Sequence, residues 1–193
     1  MKRIAIIGPS GSGKSTLARH LGRILHIKVY HLDRLFWLPS WQIKDRDTRI
    51  SILQHLVLEK EWIIEGSYIS SSDTRLLAAD TIIFLDTPSL LCLLRVIKRK
   101  RENKQRPRRD LPMGSGQMLS LRSILKIALF PLRDRKLLLA KLNKLADLSS
   151  YLYRQIHEPP IIRIISTKEV IDFIEHIEDK HLDILSSPRF IEH

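Results

Sequence analysis

The feature that most constrains this chain is a loop near its start, residues 8–15 with the sequence GPSGSGKS. It matches the pattern G-x-x-x-x-G-K-[ST], in which backbone N–H groups wrap the phosphates of a nucleotide. An apolar run typical of a buried strand precedes the loop, and apolar residues at helical spacing follow it. The phosphates would therefore lie at a helix N-terminus, where free N–H groups favour anions. The sequence predicts that this protein binds a nucleoside triphosphate.

The residue types in the loop fit that task. Glycines allow positive φ angles and a close approach of the backbone to the phosphates. Lys14 is predicted to reach the β- and γ-phosphates and to act in catalysis, and the Ser15 hydroxyl is predicted to be a Mg²⁺ ligand. We expect the cofactors to be ATP and Mg²⁺, although the loop itself fits GTP equally well. The residues predicted to contact the nucleotide here are Gly8, Gly11, Ser12, Gly13, Lys14, Ser15 and Thr16.

Length and composition are those of an ordinary globular protein. A chain of 193 residues is predicted to form a single domain, 1–193. The single cysteine, Cys92, excludes an internal disulfide and fits a reducing compartment. No secretory signal is expected, and no apolar stretch approaches the ~20 residues that a membrane span needs. We therefore expect a cytoplasmic protein without a membrane partner.

Strand-like and helix-like patterns alternate along the chain. The apolar runs of strand type are residues 4–7, 27–31, 62–64, 81–85 and 161–165. This alternation predicts an α/β fold, a five-stranded parallel sheet with helices on both faces. In such sheets the ligand binds at the carboxyl ends of the strands. Asp33, Glu65, Gly66 and Asp86 all follow strands, so we expect them to share one cleft with the loop.

Basic residues give the chain a formal net charge of +12, which suits polyanionic partners such as nucleotides or nucleic acid. Much of the excess lies between residues 98 and 109, where eight of twelve residues are Lys or Arg. Helical spacing fails from about 103 to 117, where prolines and glycines indicate a loop. The basic stretch contains no aromatic residue, whereas proteins that bind single strands stack bases on aromatic side chains. Phosphate clamping or weak, non-specific attraction to a duplex fits it better.

In these features the chain resembles the nucleoside-monophosphate kinases, that is, adenylate kinase and its relatives. The phosphate-binding loop stands at the start of a chain of similar length, and an arginine-rich segment follows the fourth strand. Within that group the chain is most similar to the DNA topology modulation (FlaR-like) proteins, over roughly residues 1–175. The shared stretches are residues 29–37, 62–68, 80–86 and 130–134. The family usually has Asp-Gly-Asn-Tyr where this chain has Glu-Gly-Ser-Tyr at 65–68.

The resemblance implies roles for three arginines and a lid. Arg95 would stack on the adenine and Arg99 would contact the phosphates, although both also fit a solvated basic helix end. Arg133 and Arg135 lie where the kinases place arginines that stabilise charge during phosphoryl transfer, and Arg133 is the one we favour. Residues 103–117 would form a lid whose arginines close over the phosphates, or else a solvated basic loop.

The resemblance and the strand ends together suggest an acceptor site. Asp33 would receive a proton from the acceptor hydroxyl or hold Mg²⁺ through water, unless it only caps a helix. Gly66 and Arg75 match the acceptor-binding pattern, and Arg75 suits an anionic substrate. Asp86 would support Mg²⁺ beside Ser15, or again cap a helix.

Two functions stay open at this point. One is a kinase that transfers the γ-phosphoryl group of ATP·Mg²⁺ to a nucleotide or another small molecule. The other is a nucleic-acid-associated, ATP-binding regulator, which the FlaR-like resemblance and the net charge of +12 would support. The placement of Asp33, Gly66, Arg75 and Arg133 favours the kinase, because these residues have no evident task in binding DNA. Nucleic acid is then expected to bind weakly and without sequence preference.

Overall fold

Five parallel strands form the sheet, in the order β2-β3-β1-β4-β5. This computed structural model describes residues 1–38, 42–68, 72–102, 121–152 and 160–186. The strands are β1 Arg3–Ile7, β2 Val29–His31, β3 Trp62–Glu65, β4 Thr81–Leu85 and β5 Ile161–Ile164. The central strand β1 lies between β3 and β4, so the loop that follows it opens between their carboxyl ends. The predicted α/β fold with a five-stranded parallel sheet is confirmed.

The strands are connected by helices that cover both faces. Within the described ranges these are α1 Lys14–Ile24, α2 Leu32–Phe36, α3 Arg46–Val57, α4 Ser72–Ala78, α5 Ser89–Glu102, α6 Leu121–Ala128, α7 Asp134–Leu152 and α8 Thr167–Ser186. Successive β1 side chains point to opposite faces. Ala5 and Ile7 pack in a cluster with residues of α3, α4 and α7, whereas Ile4 and Ile6 pack with residues of α1 and α8.

The sequence Ser-Thr-Lys-Glu at 166–169 matches the capping-box pattern S-x-x-E and predicts the start of a helix, which α8 confirms. Ser166 and Glu169 form a reciprocal cap, in which the Ser166 hydroxyl accepts from the Glu169 N–H and the Glu169 carboxylate accepts from the Ile165 N–H. Apolar spacing predicts Val170, Ile171 and Ile174 on the buried side of α8, and the structure differs at Ile171. Val170 and Ile174 pack against the core, but Ile171 is exposed and Ile177 is buried instead, because the contact with α1 turns that face inward.

Two expectations are not tested by this architecture. The proposed lid, residues 103–117, lies outside the described residues, so its role stays a prediction. A single domain over 1–193 also stays a prediction. None of the described helices has the length and apolar character that crossing a membrane requires.

Candidate active site

The phosphate-binding loop runs from the end of β1 into α1, and its three glycines all have positive φ. Gly8, Gly11 and Gly13 have φ angles of 148°, 87° and 102°. A Cβ atom on Gly11 would lie 2.4 Å from the Cys92 carbonyl oxygen, so α5 packs directly on the loop. The Gly13 carbonyl oxygen accepts from the Thr16 N–H, which starts α1 immediately after the loop. The fold thus supplies the strand–loop–helix arrangement that a phosphate cradle needs.

Lys14 lies inside this loop and is almost fully buried. Its ammonium group donates a 2.7 Å hydrogen bond to the Pro9 carbonyl oxygen. Burial is the largest influence and lowers the pKa of Lys14, while the nearby Glu65 and Asp33 carboxylates act in the opposite direction. A cation with one backbone partner and two neighbouring carboxylates is well placed to receive a polyphosphate.

A buried carboxylate touches the serine of the loop. Glu65, at the end of β3, accepts a hydrogen bond from the Ser15 hydroxyl at 3.0 Å and contacts His31 Nδ1 at 2.8 Å. Burial would raise the pKa of Glu65, but His31, the Lys14 charge and Ser15 outweigh it and hold the pKa below its usual value. Glu65 is therefore ionised. A hydroxyl beside a carboxylate is a donor set that Mg²⁺ accepts, with phosphates and waters completing the shell.

Asp86 has a different environment from the one that its predicted magnesium role requires. Its carboxylate accepts two hydrogen bonds from Arg135, at 2.8 and 2.9 Å, and two from Arg163, at 2.8 and 2.5 Å. Burial again acts to raise the pKa of Asp86, and the two guanidinium groups more than offset it. Both oxygens are thus engaged with cations. The geometry favours Glu65 rather than Asp86 as the carboxylate that assists Ser15.

Asp33 lies in a chain of hydrogen bonds with two aromatic side chains. The Tyr68 hydroxyl donates to Asp33 Oδ1 at 2.7 Å, and the Trp37 indole N–H donates to the Tyr68 oxygen at 2.6 Å. The direction is fixed, because an indole N–H only donates and an ionised carboxylate only accepts. Asp33 is not the N-cap of α2, a position that His31 occupies.

Arg75 is a fully buried cation beside these groups. One of its terminal nitrogens, Nη2, donates to the Gly66 carbonyl oxygen at 2.8 Å. Among the described residues, Nε and Nη1 have no hydrogen-bond partner. Burial lowers the pKa of Arg75 to about 10, against the influence of Glu65, Tyr68 and Asp33. Unpartnered buried donors are costly, so a guanidinium in this state is ready for an anion. Arg75 and Gly66 line a small pocket that extends to Gly8.

The other predicted arginines lie at different distances from the loop. Arg95 donates to the carbonyl oxygens of Gly11 and Ser12 and to the Thr167 hydroxyl, so it links the loop to the start of α8. Arg99 is half-buried one helical turn further along α5. Arg133 is exposed at the turn before α7, and it is its neighbour Arg135 that reaches the strand ends, through Asp86.

Some known proteins are similar to this chain in sequence or in fold. No protein-family model matches the chain. A shikimate kinase from Shewanella amazonensis is 26% identical over 122 residues, which cover 55% of this chain and 68% of the relative. One from Shewanella loihica is 27% identical with the same coverage. The solved structure of shikimate kinase from Acinetobacter baumannii in complex with shikimate matches with a TM-score of 0.51 at 19% identity, covering 96% of this chain and 91% of that chain.

The chain has distant similarity to shikimate kinases. The structural match establishes the fold that these kinases share. The similarity supports ATP use by a P-loop kinase, and it leaves the acceptor undetermined. These relatives do not support the DNA topology modulation part of the resemblance that the sequence suggests.

Sequence reasoning overlooked several residues of this site. Glu65 was expected in the cleft but was given no role, and His31, Trp37 and Tyr68 were given none either. Of the two arginines after the lid, the sequence favoured Arg133, whereas Arg135 is the one that contacts Asp86. A signal for Glu65 did exist, because a carboxylate directly after an apolar strand beside the loop is a natural magnesium partner.

Proposed function

We propose that this protein is a phosphotransferase that moves the γ-phosphoryl group of ATP·Mg²⁺ to a hydroxyl group of a small, anionic acceptor. One observation carries the proposal. It is a group of charges around the phosphate loop: the Glu65 carboxylate on Ser15, the Asp33 carboxylate, and the buried Arg75 guanidinium, two of whose nitrogens have no hydrogen-bond partner among the described residues. Their charges interact, because Glu65 and Asp33 both influence the pKa values of Lys14 and Arg75.

The donor half of the site would hold the nucleotide. Lys14 would exchange its bond to the Pro9 carbonyl oxygen for the β- and γ-phosphates, and the backbone N–H groups of the loop would wrap them. Ser15 and Glu65 are the residues that fit Mg²⁺, which when bound neutralises the charge that develops on the phosphates. Arg95, already in contact with the loop, would lie over the base. Arg99 and Arg133 are proposed to approach the phosphates when the site closes.

The acceptor half would hold and orient the hydroxyl. Its oxygen would form a bond to the γ-phosphorus while the bond from that phosphorus to the β–γ bridging oxygen breaks, and its proton would pass to Asp33. Tyr68 occupies Oδ1 of Asp33, so Oδ2 is the atom proposed to receive the proton. Phosphoryl transfer depends mainly on positioning, and a carboxylate fixed by Tyr68 and Trp37 supplies it.

Arg75 suggests what else the acceptor carries. Two of the buried Arg75 nitrogens have no partner within the described part of the chain, and a carboxylate or phosphate on the substrate would satisfy them best. Shikimate, bound in the Acinetobacter baumannii structure, is a carboxylate that bears hydroxyl groups, and so belongs to this chemical class. We therefore propose hydroxylated carboxylates as the first acceptors to test, followed by nucleosides and their monophosphates.

The test is an acceptor screen that follows ADP formation from ATP·Mg²⁺. We expect one acceptor class to raise the rate at least tenfold above hydrolysis by water, and Lys14→Ala to remove this stimulation. A parallel measurement at physiological salt uses duplex DNA. Tight, sequence-specific DNA binding together with no stimulated turnover would contradict the kinase and favour the regulator.

A further inference from the structure

We propose that His31 is a positioning residue that holds the Glu65 carboxylate against Ser15 and thereby sets how strongly Mg²⁺ increases the affinity for ATP. The inference rests on the proposed function, because it takes Ser15 and Glu65 as the residues that receive the metal. His31 ends β2, and the parallel register places it directly beside Glu65 of β3. The strand pairing therefore places the two side chains next to each other, and no loop has to change conformation to bring them together.

The directions of the hydrogen bonds follow from the groups involved. An ionised carboxylate only accepts, so His31 Nδ1 carries a hydrogen and donates it to Glu65 Oε1 at 2.8 Å. The Ser15 hydroxyl donates to the same oxygen at 3.0 Å. Among the described residues, both side-chain hydrogen bonds of Glu65 are to Oε1. Two donors converging on one oxygen from different elements, β2 and α1, fix the orientation of the carboxylate.

Without the hydrogen bond from His31, the Glu65 carboxylate could turn toward Lys14. Lys14 is a buried ammonium group that already interacts favourably with the Glu65 charge. If Glu65 turned toward Lys14, the ion pair would withdraw the carboxylate from the metal site. His31 opposes this by holding Oε1 at Ser15. Groups that orient a metal-binding carboxylate typically change metal affinity by 10- to 100-fold when they are removed.

A purely structural role for this pair makes a different prediction. The side chains of His31 and Glu65 are 14% and 4% exposed, so the loss of a partly buried hydrogen bond alone would explain a loss of stability. It would not explain a change in the magnesium dependence of nucleotide binding. That dependence is therefore the deciding quantity.

The experiment is calorimetric titration of the full chain with ATP, with and without Mg²⁺, in wild type and three variants. In His31→Leu we expect the gain in affinity from Mg²⁺ to fall about tenfold, while metal-free ATP binds within about twofold of wild type. His31→Asn should recover most of the gain, because its amide N–H lies about where Nδ1 does. His55→Leu is the matched control, since the exposed His55 has, within the described ranges, one hydrogen bond, to the Ser51 carbonyl oxygen of its own helix.

Several results would overturn the inference. The first is a folded His31→Leu protein with the wild-type gain from Mg²⁺, whatever its melting temperature. If that variant does not fold, His31→Gln replaces it, because its donor lies one carbon further out. Equal gains in the Asn and Gln variants and the wild type would then refute positioning. A wild-type protein that binds ATP without any gain from Mg²⁺ overturns this inference alone, whereas one that binds no ATP overturns the proposed function as well.

Discussion

Replacing Gly11 by alanine tests whether α5 is packed on the phosphate loop. The new Cβ atom would lie 2.4 Å from the Cys92 carbonyl oxygen and 2.9 Å from Val96 Cγ2, both on α5. Gly13→Ala is the matched control. Gly13 also has positive φ, 102° against 87°, but a Cβ there meets no atom of the described residues within 4 Å. Comparing the two variants separates the cost of the contact from the cost of the backbone conformation.

The magnitudes follow from those contacts. An alanine at positive φ costs about 1–2 kcal/mol, which both variants should lose. Gly11→Ala must also displace a backbone carbonyl of a helix, and such overpacking adds about 1–3 kcal/mol. We therefore expect losses of about 1–2 kcal/mol for Gly13→Ala and about 2–5 kcal/mol for Gly11→Ala in the free energy of unfolding.

The assay is urea unfolding without nucleotide, so that effects on ATP binding do not contribute. Both variants should keep the wild-type m-value, which would show that they change stability rather than the extent of unfolding. Gly8→Ala repeats the comparison, since its Cβ would lie 2.5 Å from the Leu85 carbonyl oxygen. Equal losses for Gly11→Ala and Gly13→Ala would refute the packing of α5 on the loop.

Three further predictions concern the site. Lys14→Ala should weaken ATP·Mg²⁺ binding about 10²-fold or more in calorimetry while the protein stays folded, and unchanged affinity would contradict its role. Tyr68→Phe should lower kcat about tenfold with little change in KM for ATP, because Asp33 loses one hydrogen bond, whereas Tyr30→Phe, which breaks a bond to Glu59, should not. Asp86→Asn should cost about 1–2 kcal/mol at pH 7 in urea unfolding. Because folding lowers the pKa of Asp86, this difference should be complete above the unfolded pKa of about 3.9 and be lost as pH falls from there through the lower folded pKa. A difference that stays constant at low pH would exclude the ion pairs as its cause.

Local patterns were sufficient to predict most of the fold. The strands are apolar runs of a few residues, and the glycine-rich sequence between β1 and α1 is typical of phosphate-binding loops. The cap at Ser166 was equally readable, because its two partners lie three residues apart. Such features depend on neighbours in sequence, and a single chain displays them directly.

The site was less predictable because its contacts join distant residues. Glu65 and Asp86 both follow apolar strands beside β1, and sequence alone gave no reason to prefer Glu65 for magnesium. The choice depends on Arg135 and Arg163, which reach Asp86 from 49 and 77 residues away. Likewise the bond from Tyr68 to Asp33 spans 35 residues and forms only when β2 and β3 are side by side.

The central claim is that this site transfers a phosphoryl group from ATP to a small hydroxyl acceptor. The most direct measurement is ³¹P NMR of ATP·Mg²⁺ with the protein and the acceptor that stimulates turnover most in the screen. We predict a new phosphate-ester resonance that grows in step with ADP, is absent with Lys14→Ala and is strongly reduced with Asp33→Asn. Formation of ADP with inorganic phosphate as the sole other product, at the same rate with every acceptor, would contradict the account.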